Sequence, residues 1–286
     1  MGVTKYKKVI VIGYGTIVAK VLKTVFAKAS EYGYTPQFIE YEVHPLNAAK
    51  NFVRANAIDY RRIEDKKNLL GYFLEQAKED FVLIISANNN FLFPKELVDN
   101  GRIDIVNFHN ALLPDYRGRN VASWMIYNGE KEAGITWHYA NAGVDTGDVI
   151  IQKNCEVPDD IRAYELVARL MDLGAEAFVE CYDSVLTGTA GRKSQQGDVL
   201  RRRYRSTEIP GGGCFRLSDR PEDIYRLLRA LDYGKNEIFP LPVTELDGKK
   251  IAIKRYRLVG ADERKDEGQR IYIPFAGKFL MLCYAG

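Results

Sequence analysis

The sequence NFHNALLPDYRGRN at residues 107–120, followed by GVDTGDVI at residues 143–150, is the most informative part of this chain. It places an amide at Asn107, an imidazole at His109 and a carboxylate at Asp145, each near the end of a predicted β-strand. The loop after His109 contains Pro and Gly and could hold a substrate beside these groups. An amide, an imidazole and a carboxylate at one place suit the transfer of an acyl group to an amine.

Strand and helix patterns alternate on both sides of this segment. Short β-branched runs predict strands at 9–12, 37–43, 81–86, 103–109, 134–139 and 149–156, and helical spacing predicts helices at 17–27, 48–54, 67–77, 94–98, 121–127 and 161–186. The alternation predicts a doubly wound α/β domain with a mostly parallel sheet. Ligands of such sheets bind beyond the carboxyl ends of the strands, where Asn107 and His109 fall on one face of the same strand.

The sequence changes character after about Gly191, where it becomes basic, Gly-rich and turn-rich. A flexible break is predicted at Pro210–Gly213. Beyond it, a helix at 221–231 and antiparallel strands at 250–258 and 270–284 predict a small C-terminal α+β subdomain. We therefore expect three parts: a catalytic domain at 1–190, a linker at 191–213 and a subdomain at 214–286.

Composition and charge are those of an ordinary globular protein. Of the 286 residues, 46% are hydrophobic and 28% are charged, which allows a sizeable core. No run of 18 apolar residues is present and no signal-peptide pattern opens the chain, so we expect a cytoplasmic protein without a membrane partner. A formal charge of +3 does not by itself indicate a nucleic-acid partner, although the run Arg201–Arg205 is strongly basic.

Two kinds of bound group have little support in the sequence. The four cysteines form no C-x-x-C pair and the three histidines form no metal-ligand motif, so no metal is expected. The turn that starts at Gly13 begins like a dinucleotide-binding turn, but Val18 replaces its third glycine. A tight βα turn is therefore the preferred interpretation, with a nucleotide site as the alternative.

The three histidines have different surroundings. His44 is expected at a strand end on the surface, and for His138, which lies in a strand pattern, a structural role is the preferred interpretation. His109 has Asn107 two residues before it and Asp145 in a Gly-flanked loop after the next strand. A carboxylate can fix the tautomer of a histidine, and an amide can donate to a carbonyl oxygen that gains charge. Polar residues at strand ends also serve as ordinary caps, so both interpretations stand at this point.

The segment NFHNALLPDYRGRN is similar to the signature loop of the 10-formyltetrahydrofolate-dependent formyltransferases, in which Asn-x-His precedes a (S/A)LLPxYRG-type turn. The position of Asp145, 36 residues after His109, also fits. The resemblance covers residues 80–190 well and the N-terminal units more loosely, and it is strongest for the sugar N-formyltransferase branch. It implies an enzyme with a formyltransferase-like variant of the Rossmann fold.

The resemblance implies a mechanism with N10-formyltetrahydrofolate as co-substrate. An amine attacks the formyl carbon, Asn107 helped by His109 stabilises the oxygen that gains charge, and His109, positioned by Asp145, moves protons. Whether His109 or Asp145 is the base stays open. The resemblance also implies a slot for the pterin, with these residues around it: Ser86, Asn88, Asn90, Phe91, Ala142, Gly143 and Val144.

The branches of this family formylate glycinamide ribonucleotide, initiator methionyl-tRNA or amino sugars attached to nucleotides. The short segment after Gly213 and the pattern at residues 215–240 favour a small-molecule nucleotide-sugar substrate. Its diphosphate and base could be bound by cationic and aromatic side chains. The candidates are Arg117, Arg119, Tyr204, Arg205 and Phe215. The arginines could equally lie in a solvated linker.

Other functions remain as alternatives. They are a methionyl-tRNA formyltransferase-like enzyme, formylation of glycinamide ribonucleotide or of a carrier-bound aminoacyl group, and a non-catalytic binding module that keeps the fold. The complete set of Asn107, His109 and Asp145 speaks against a binding module. Edge strands expected in the C-terminal part could support a homodimer. The sequence does not identify the sugar, the nucleotide or the position of the amine.

Overall fold

The structure of the chain, a computed structural model, describes residues 2–42, 49–195, 199–265 and 268–284. His44, and the ends of two predicted elements at Val43 and Ala48, lie outside these residues. The chain divides into two compact units. The first unit comprises residues 1–118, 134–155 and 168–203, and the second comprises 119–133, 156–167 and 204–286. The predicted boundaries at 190 and 213 differ from this division, because each unit consists of three separate segments of the chain. As domain boundaries, 190 and 213 stay a prediction.

A seven-stranded sheet in the order β3-β2-β1-β4-β5-β6-β7 confirms the predicted α/β fold. Strands β3, β2, β1, β4 and β5 run parallel to one another, and β6 is antiparallel to β5. Residues 9–12 of β1 and 82–85 of β4 are fully buried, as expected for central strands covered on both faces. The strands are β1 Tyr6–Gly13, β2 Thr35–Glu40, β3 Asp59–Arg62, β4 Phe81–Ala87, β5 Ile103–His109, β6 Glu132–Tyr139 and β7 Val149–Glu156.

The helices follow the predicted alternation. They are α1 Gly15–Tyr32, α2 Ala49–Ala55, α3 Lys66–Gln76, α4 Lys95–Val98, α5 Val121–Asn128, α6 Ala163–Thr187 and α7 Pro221–Leu231. Gly174 lets α6 approach β5 closely, because a Cβ there would lie 2.2 Å from the ring of Phe108. The indole of Trp137 donates to the Gly174 carbonyl at 2.8 Å. Since side chains alternate along a strand, Asn107, His109 and His138 lie on the other face of the sheet.

The C-terminal part forms a four-stranded antiparallel sheet in the order β10-β11-β9-β8, which confirms the predicted small α+β subdomain. Its strands are β8 Val243–Leu246, β9 Lys249–Val259, β10 Arg270–Phe275 and β11 Lys278–Tyr284. Apolar side chains of α7 and the sheet form the core of the second unit: Phe215, Ile224, Leu227, Leu228, Leu231, Ile253, Ile273, Leu280 and Leu282. Pro210–Gly213, where the sequence predicts a flexible break, forms a tight turn in which all three glycines have positive φ.

Neither a disulfide nor a membrane span occurs in the part of the chain that the structure describes. Cys155, Cys181, Cys214 and Cys283 are not joined in disulfides. No helix among the described residues combines the length and the apolar character that crossing a membrane requires.

Candidate active site

Five polar side chains form a connected row near the carboxyl ends of β4 and β5. The Ser86 hydroxyl donates to Oδ1 of Asn107 at 2.6 Å, and Nδ2 of Asn107 lies 3.1 Å from Nε2 of His138. One carboxylate oxygen of Asp145 lies 3.7 Å from Nε2 of His138, and the other lies 3.7 Å from Nδ1 of His109. We call Ser86, Asn107, His138, Asp145 and His109 the polar row. The three predicted catalytic residues are thus joined in one row, with Asn107 linked to Asp145 through His138.

The antiparallel pairing of β5 with β6 produces this row. Asn107 is the direct partner of His138 in the sheet. Side chains of directly opposed residues share one face and lie within contact distance, so the amide meets the imidazole. Thr136 of β6 also holds the loop after β5, because its hydroxyl accepts from the Leu113 amide at 3.1 Å. The NFHNALLP segment is therefore fixed against β6 at two points.

Asp145 lies in the loop between β6 and β7 and has a backbone φ of +54°. Residues other than glycine rarely adopt this conformation, and it persists only where surrounding contacts enforce it. The Gly118 amide donates to a carboxylate oxygen of Asp145 at 3.0 Å. Gly147 lies so close to β6 that a Cβ there would be 1.8 Å from the Tyr139 carbonyl oxygen. The loop therefore returns tightly to β6 and leaves only 12% of the Asp145 side chain exposed.

Both ring nitrogens of His109 face hydrogen-bond acceptors. Nε2 lies 2.8 Å from the carbonyl oxygen of Tyr116, a residue with a φ of +56°. Because a carbonyl only accepts, Nε2 carries a proton. Nδ1 faces the carboxylate of Asp145. An imidazole between two acceptors is most stable in its protonated form, so this geometry favours a cationic His109.

The two ring nitrogens of His138 have different hydrogen-bond partners. Its Nδ1 lies 2.8 Å from the Tyr139 carbonyl oxygen and therefore carries a proton. Since the Ser86 hydroxyl donates to the amide oxygen of Asn107, the NH₂ group of Asn107 faces Nε2 of His138, which accepts. The two imidazoles beside Asp145 thus differ in their partners: both ring nitrogens of His109 face acceptors, whereas His138 lies between a carbonyl oxygen and the Asn107 amide.

The pKa of the Asp145 carboxyl lies below its ordinary value. Burial by itself raises this pKa, but the charge of His109, the ring of His138 and the Gly118 amide together lower it by more. The carboxylate is therefore ionised at neutral pH and balances positive charge on His109. An amide donor, an imidazolium and a carboxylate in a buried place can stabilise an oxygen that gains charge and can transfer protons.

The residues expected around the pterin lie at the end of β4, on the loop that follows it, and on the loop between β6 and β7. Ser86 is fully buried within the polar row, and the Phe91 side chain is buried in a core cluster. Nδ2 of Asn88 donates to the Tyr14 carbonyl, and Oδ1 of Asn90 accepts from the Tyr14 hydroxyl, each at 3.4 Å. On the second loop, Ala142 and Gly143 are exposed and Val144 is half-buried. Their contact with a pterin stays a prediction.

Close packing explains the first glycine of the turn between β1 and α1. A Cβ on Gly13 would lie 1.9 Å from the carbonyl oxygen of Ala87, and the Tyr14 amide donates to the Asn88 carbonyl at 3.1 Å. The turn therefore rests directly on the end of β4. The close contact with Ala87 explains why residue 13 is a glycine, and no bound nucleotide is needed for that explanation. It therefore supports the preferred interpretation of a tight βα turn.

The three arginines expected to bind substrate differ in their surroundings. Nε of Arg117 donates to the Asp145 carbonyl oxygen at 3.1 Å. Arg119 is half-buried, and its backbone amide donates to the Tyr204 carbonyl at 3.0 Å. Arg205 is exposed, and its backbone amide donates to Glu208 at 2.6 Å. Substrate contact by these arginines stays a prediction, and only Arg117 touches a residue of the polar row.

The expectation that Tyr204 and Phe215 stack on a nucleotide base needs correction. Tyr204 is 5% exposed, and its ring stacks on Trp124 with the ring centroids 4.3 Å apart. Phe215 is 8% exposed and belongs to the apolar core of the second unit. Both rings have apolar packing partners within the second unit, so a ligand has little of either surface to contact. A Gly-rich, basic sequence gives no periodic signal from which this burial could be predicted.

Two residues beside Asp145 were not identified as site residues from the sequence. His138 was interpreted as structural, and the structure places it between Asn107 and Asp145. Gln195, in the predicted linker, donates to the Asp145 carbonyl oxygen at 3.0 Å. The sequence shows that His138 lies on the same strand face as Thr136. It does not show that β6 pairs with β5, and this pairing places His138 beside Asn107. Within the described residues, no group of three or more His, Cys, Asp or Glu side chains could hold a metal ion.

A family model described as formyl transferase matches residues 9–182 of the chain. Among curated proteins, the methionyl-tRNA formyltransferase of Acetivibrio thermocellus is 34% identical over 171 residues, which cover 60% of this chain and 53% of that protein. The chain thus spans about half the length of this relative. The range of the family match contains the polar row.

Solved structures share the fold of this chain over most of its length. A 4-N formyltransferase from Francisella tularensis has a TM-score of 0.69 and 19% identity, covering 86% of this chain and 96% of its own. The N-formyltransferase from Helicobacter canadensis, solved with folinic acid and dTDP-3-aminofucose, has a TM-score of 0.67 and 17% identity, covering 98% and 100%. At these identities the likeness establishes the fold.

Proposed function

Because this chain belongs to the formyl transferase family, we propose that it transfers a formyl group from N10-formyltetrahydrofolate to the primary amine of a nucleotide-linked amino sugar. The observation that carries the proposal is the polar row, in which an amide, a carboxylate and two imidazoles are connected. A module that only binds a ligand has no need of such a set.

The groups of the row match the needs of formyl transfer. A neutral amine attacks the formyl carbon, and Nδ2 of Asn107 donates to the formyl oxygen as it gains negative charge. Ser86 and His138 hold the Asn107 amide in the orientation that this requires. The bond from the formyl carbon to the folate nitrogen then breaks, and that nitrogen takes a proton from His109.

Proton balance assigns a part to Asp145. The attacking amine loses one proton, and the departing folate nitrogen gains one. The Asp145 carboxylate stabilises the cationic His109 and accepts the amine proton, directly or through a water. Transfer of this proton to His109 closes the cycle. The lowered pKa of Asp145 keeps the carboxylate ionised between turnovers.

The formyl donor requires a surface beside the polar row that can take a flat heterocycle. The segments at 88–92 and 141–144 offer this, because all their residues except Phe91 are half-buried or exposed and the side chain of Leu92 is 58% exposed. We assign the pterin to these two segments, with Asn88, Asn90, Ala142, Gly143 and Val144 beside it. The donor supplies the activated formyl group, and the side chains of the polar row supply orientation and proton transfer.

Support for an amino-sugar acceptor comes from the extent of the structural likeness. Both units of this chain have counterparts in the Helicobacter canadensis enzyme, whose structure contains a dTDP-linked 3-amino sugar. The Francisella tularensis enzyme is a 4-N formyltransferase. These likenesses support a nucleotide-linked amino sugar as the acceptor, with the 3- and 4-amino isomers as the first candidates. A homodimer stays a prediction.

Formylation of methionyl-tRNA is the second candidate. It is favoured by the 34% identity to the Acetivibrio thermocellus enzyme and by the exposed cations of the Arg201–Arg205 run. A tRNA substrate contacts many cations through its phosphates, so its binding would weaken steeply as salt is added. A sugar nucleotide, which carries only a diphosphate, would show a much shallower dependence on salt.

The test offers the purified protein N10-formyltetrahydrofolate with 3-amino and 4-amino dTDP-sugars, glycinamide ribonucleotide or charged initiator tRNA. We expect tetrahydrofolate to form only with an amino sugar and Asn107→Ala to lower kcat on the order of 100-fold or more. Asn100→Ala, a change at a half-buried loop position just before β5, serves as the matched control. Transfer to tRNA alone would establish the second candidate, and transfer to none of the acceptors would contradict the proposal.

A further inference from the structure

The segment that follows α6 lies along the loop of Asp145. Its residue Lys193 forms two backbone hydrogen bonds with Val149 at the start of β7, at 2.8 and 3.0 Å. Two residues later, the half-buried side chain of Gln195 reaches the Asp145 loop. The predicted linker is therefore attached to the edge of the sheet at the point where the loop of Asp145 enters β7.

Gln195 joins three groups of this loop and its surroundings. Its Nε2 donates to the carbonyl oxygens of Asp145 at 3.0 Å and of Gly147 at 2.8 Å. Its Oε1 accepts from an Nη atom of Arg117 at 2.8 Å, and Nε of Arg117 donates to the same Asp145 carbonyl at 3.1 Å. The Asp145 carbonyl oxygen thus accepts from two side chains that also bond to each other.

The conformation of Asp145 gives these bonds a consequence for the carboxylate. A non-glycine residue at positive φ is strained and keeps that conformation only where other contacts enforce it. At a given φ and ψ, the direction of the carbonyl fixes the direction of the Cα–Cβ bond. The side chains that hold the Asp145 carbonyl therefore also direct its carboxylate toward His109 and His138.

We propose that Gln195, acting together with Arg117, is a positioning residue that directs the Asp145 carboxylate toward the two imidazoles. This inference rests on the proposed formyl transfer and adds a residue outside the 9–182 range of the family match. It also gives Arg117 a function other than contact with a substrate diphosphate. Gln195 touches no reacting atom, so it acts only through Asp145.

The test replaces Gln195 with Met, which keeps the length of the side chain and removes its hydrogen-bonding groups. Small misplacement of a catalytic group can cost on the order of 100-fold in rate. We expect kcat for Gln195→Met to fall about 10- to 100-fold, with the KM values for donor and acceptor changed less than about 3-fold. Gln195→Glu, which retains only the bond to Arg117 and faces both carbonyls with negative charge, should be at least as impaired.

Gln37→Met is the matched control. Gln37 is a buried glutamine of β2 that donates to Asp59 and accepts from Tyr72, each at 3.0 Å, and it touches no residue of the polar row. This variant should lose stability and keep its kcat. The NMR signals of the His109 and His138 side chains should shift in Gln195→Met and stay in place in Gln37→Met, which reports on geometry without turnover.

A double-mutant cycle separates positioning from general destabilisation. If Gln195 acts through the carboxylate, Gln195→Met should have almost no further effect on kcat in an Asp145→Asn background. Additive losses, an unchanged kcat for Gln195→Met, or histidine signals that do not move would each overturn the inference. A wild-type protein that transfers no formyl group would instead refute the proposed function, so the two failures can be told apart.

Discussion

The loops that meet at Asp145 and the apolar core of the second unit differ in the side chains that they bury and in their backbone conformation. Around Asp145, polar side chains are buried, and Asn88, Tyr116 and Asp145 have positive φ without being glycine. Apolar side chains form the core between α7 and the C-terminal sheet, and none of the residues of this core has a positive φ. Strain and buried charge reduce stability, whereas apolar burial increases it. The first region is therefore specialised for chemistry and the second for folding.

Asp145→Asn should produce the largest effect and should separate the two roles. Asparagine keeps the shape of the side chain and tolerates positive φ, so the loop can retain its conformation. The loss of the carboxylate removes the partner of the cationic His109, and kcat should fall on the order of 1000-fold. Steady-state kinetics and urea unfolding at neutral pH test this. Turnover close to that of the wild type would remove Asp145 from the mechanism.

Leu280→Ala should produce the opposite result. Leu280 is fully buried in the core of the second unit, and such a truncation costs about 3 kcal/mol of unfolding free energy. The kcat per folded molecule should be unchanged at a temperature well below the unfolding transition. Leu241→Ala, at a leucine of the same unit that is 49% exposed, is the matched control and should cost less than about 0.5 kcal/mol. Equal losses for the two leucines would show that this core does not stabilise the protein.

The contrast between the two regions also decides what the sequence could predict. β5 and α7 begin and end at the residues predicted for them, Ile103–His109 and Pro221–Leu231. Both have strong local signals, a buried apolar run in one and Pro at the helix start with apolar spacing in the other. β3, Asp59–Arg62, was not predicted because all four residues are exposed and no apolar alternation marks the strand.

Only those residues of the polar row that lie in local sequence motifs could be predicted as catalytic, and those placed by long-range strand pairing could not. Asn107, His109 and Asp145 lie in recognisable motifs, so they were identified as candidates. His138 was not, because its place beside Asn107 depends on an antiparallel register that the local pattern does not determine. Gln195 likewise reaches Asp145 only because residue 193 pairs with residue 149. When a side chain contacts a loop that is distant in the sequence, the periodic pattern of its own segment does not reveal that contact.

A third kind of region, the exposed cations, should affect neither stability nor chemistry. Arg205→Ala is expected to raise KM for the acceptor about 10-fold and to leave kcat unchanged, if its charge meets the diphosphate. Added salt should weaken acceptor binding in the wild type more than in the variant. Arg216→Ala, a change at another exposed arginine of the second unit, is the control. An unchanged KM would assign Arg205 to the solvated surface.

The smallest expected effect is a difference in pH dependence between the two regions. The pKa of Asp145 is lower in the folded protein than its ordinary value of about 3.9, so the unfolded chain binds this proton more readily. The stability contributed by the ionised carboxylate is complete above about pH 3.9 and is lost as the pH falls through the folded-state pKa. Wild type and Asp145→Asn should therefore differ less in unfolding free energy at pH 3 than at pH 7. Leu280→Ala carries no titratable change, so its deficit should stay constant over the same range. If the deficit in unfolding free energy of Asp145→Asn were also constant, the imidazoles would not stabilise the carboxylate. The charged region and the apolar core would then not differ in the pH dependence of their contribution to stability.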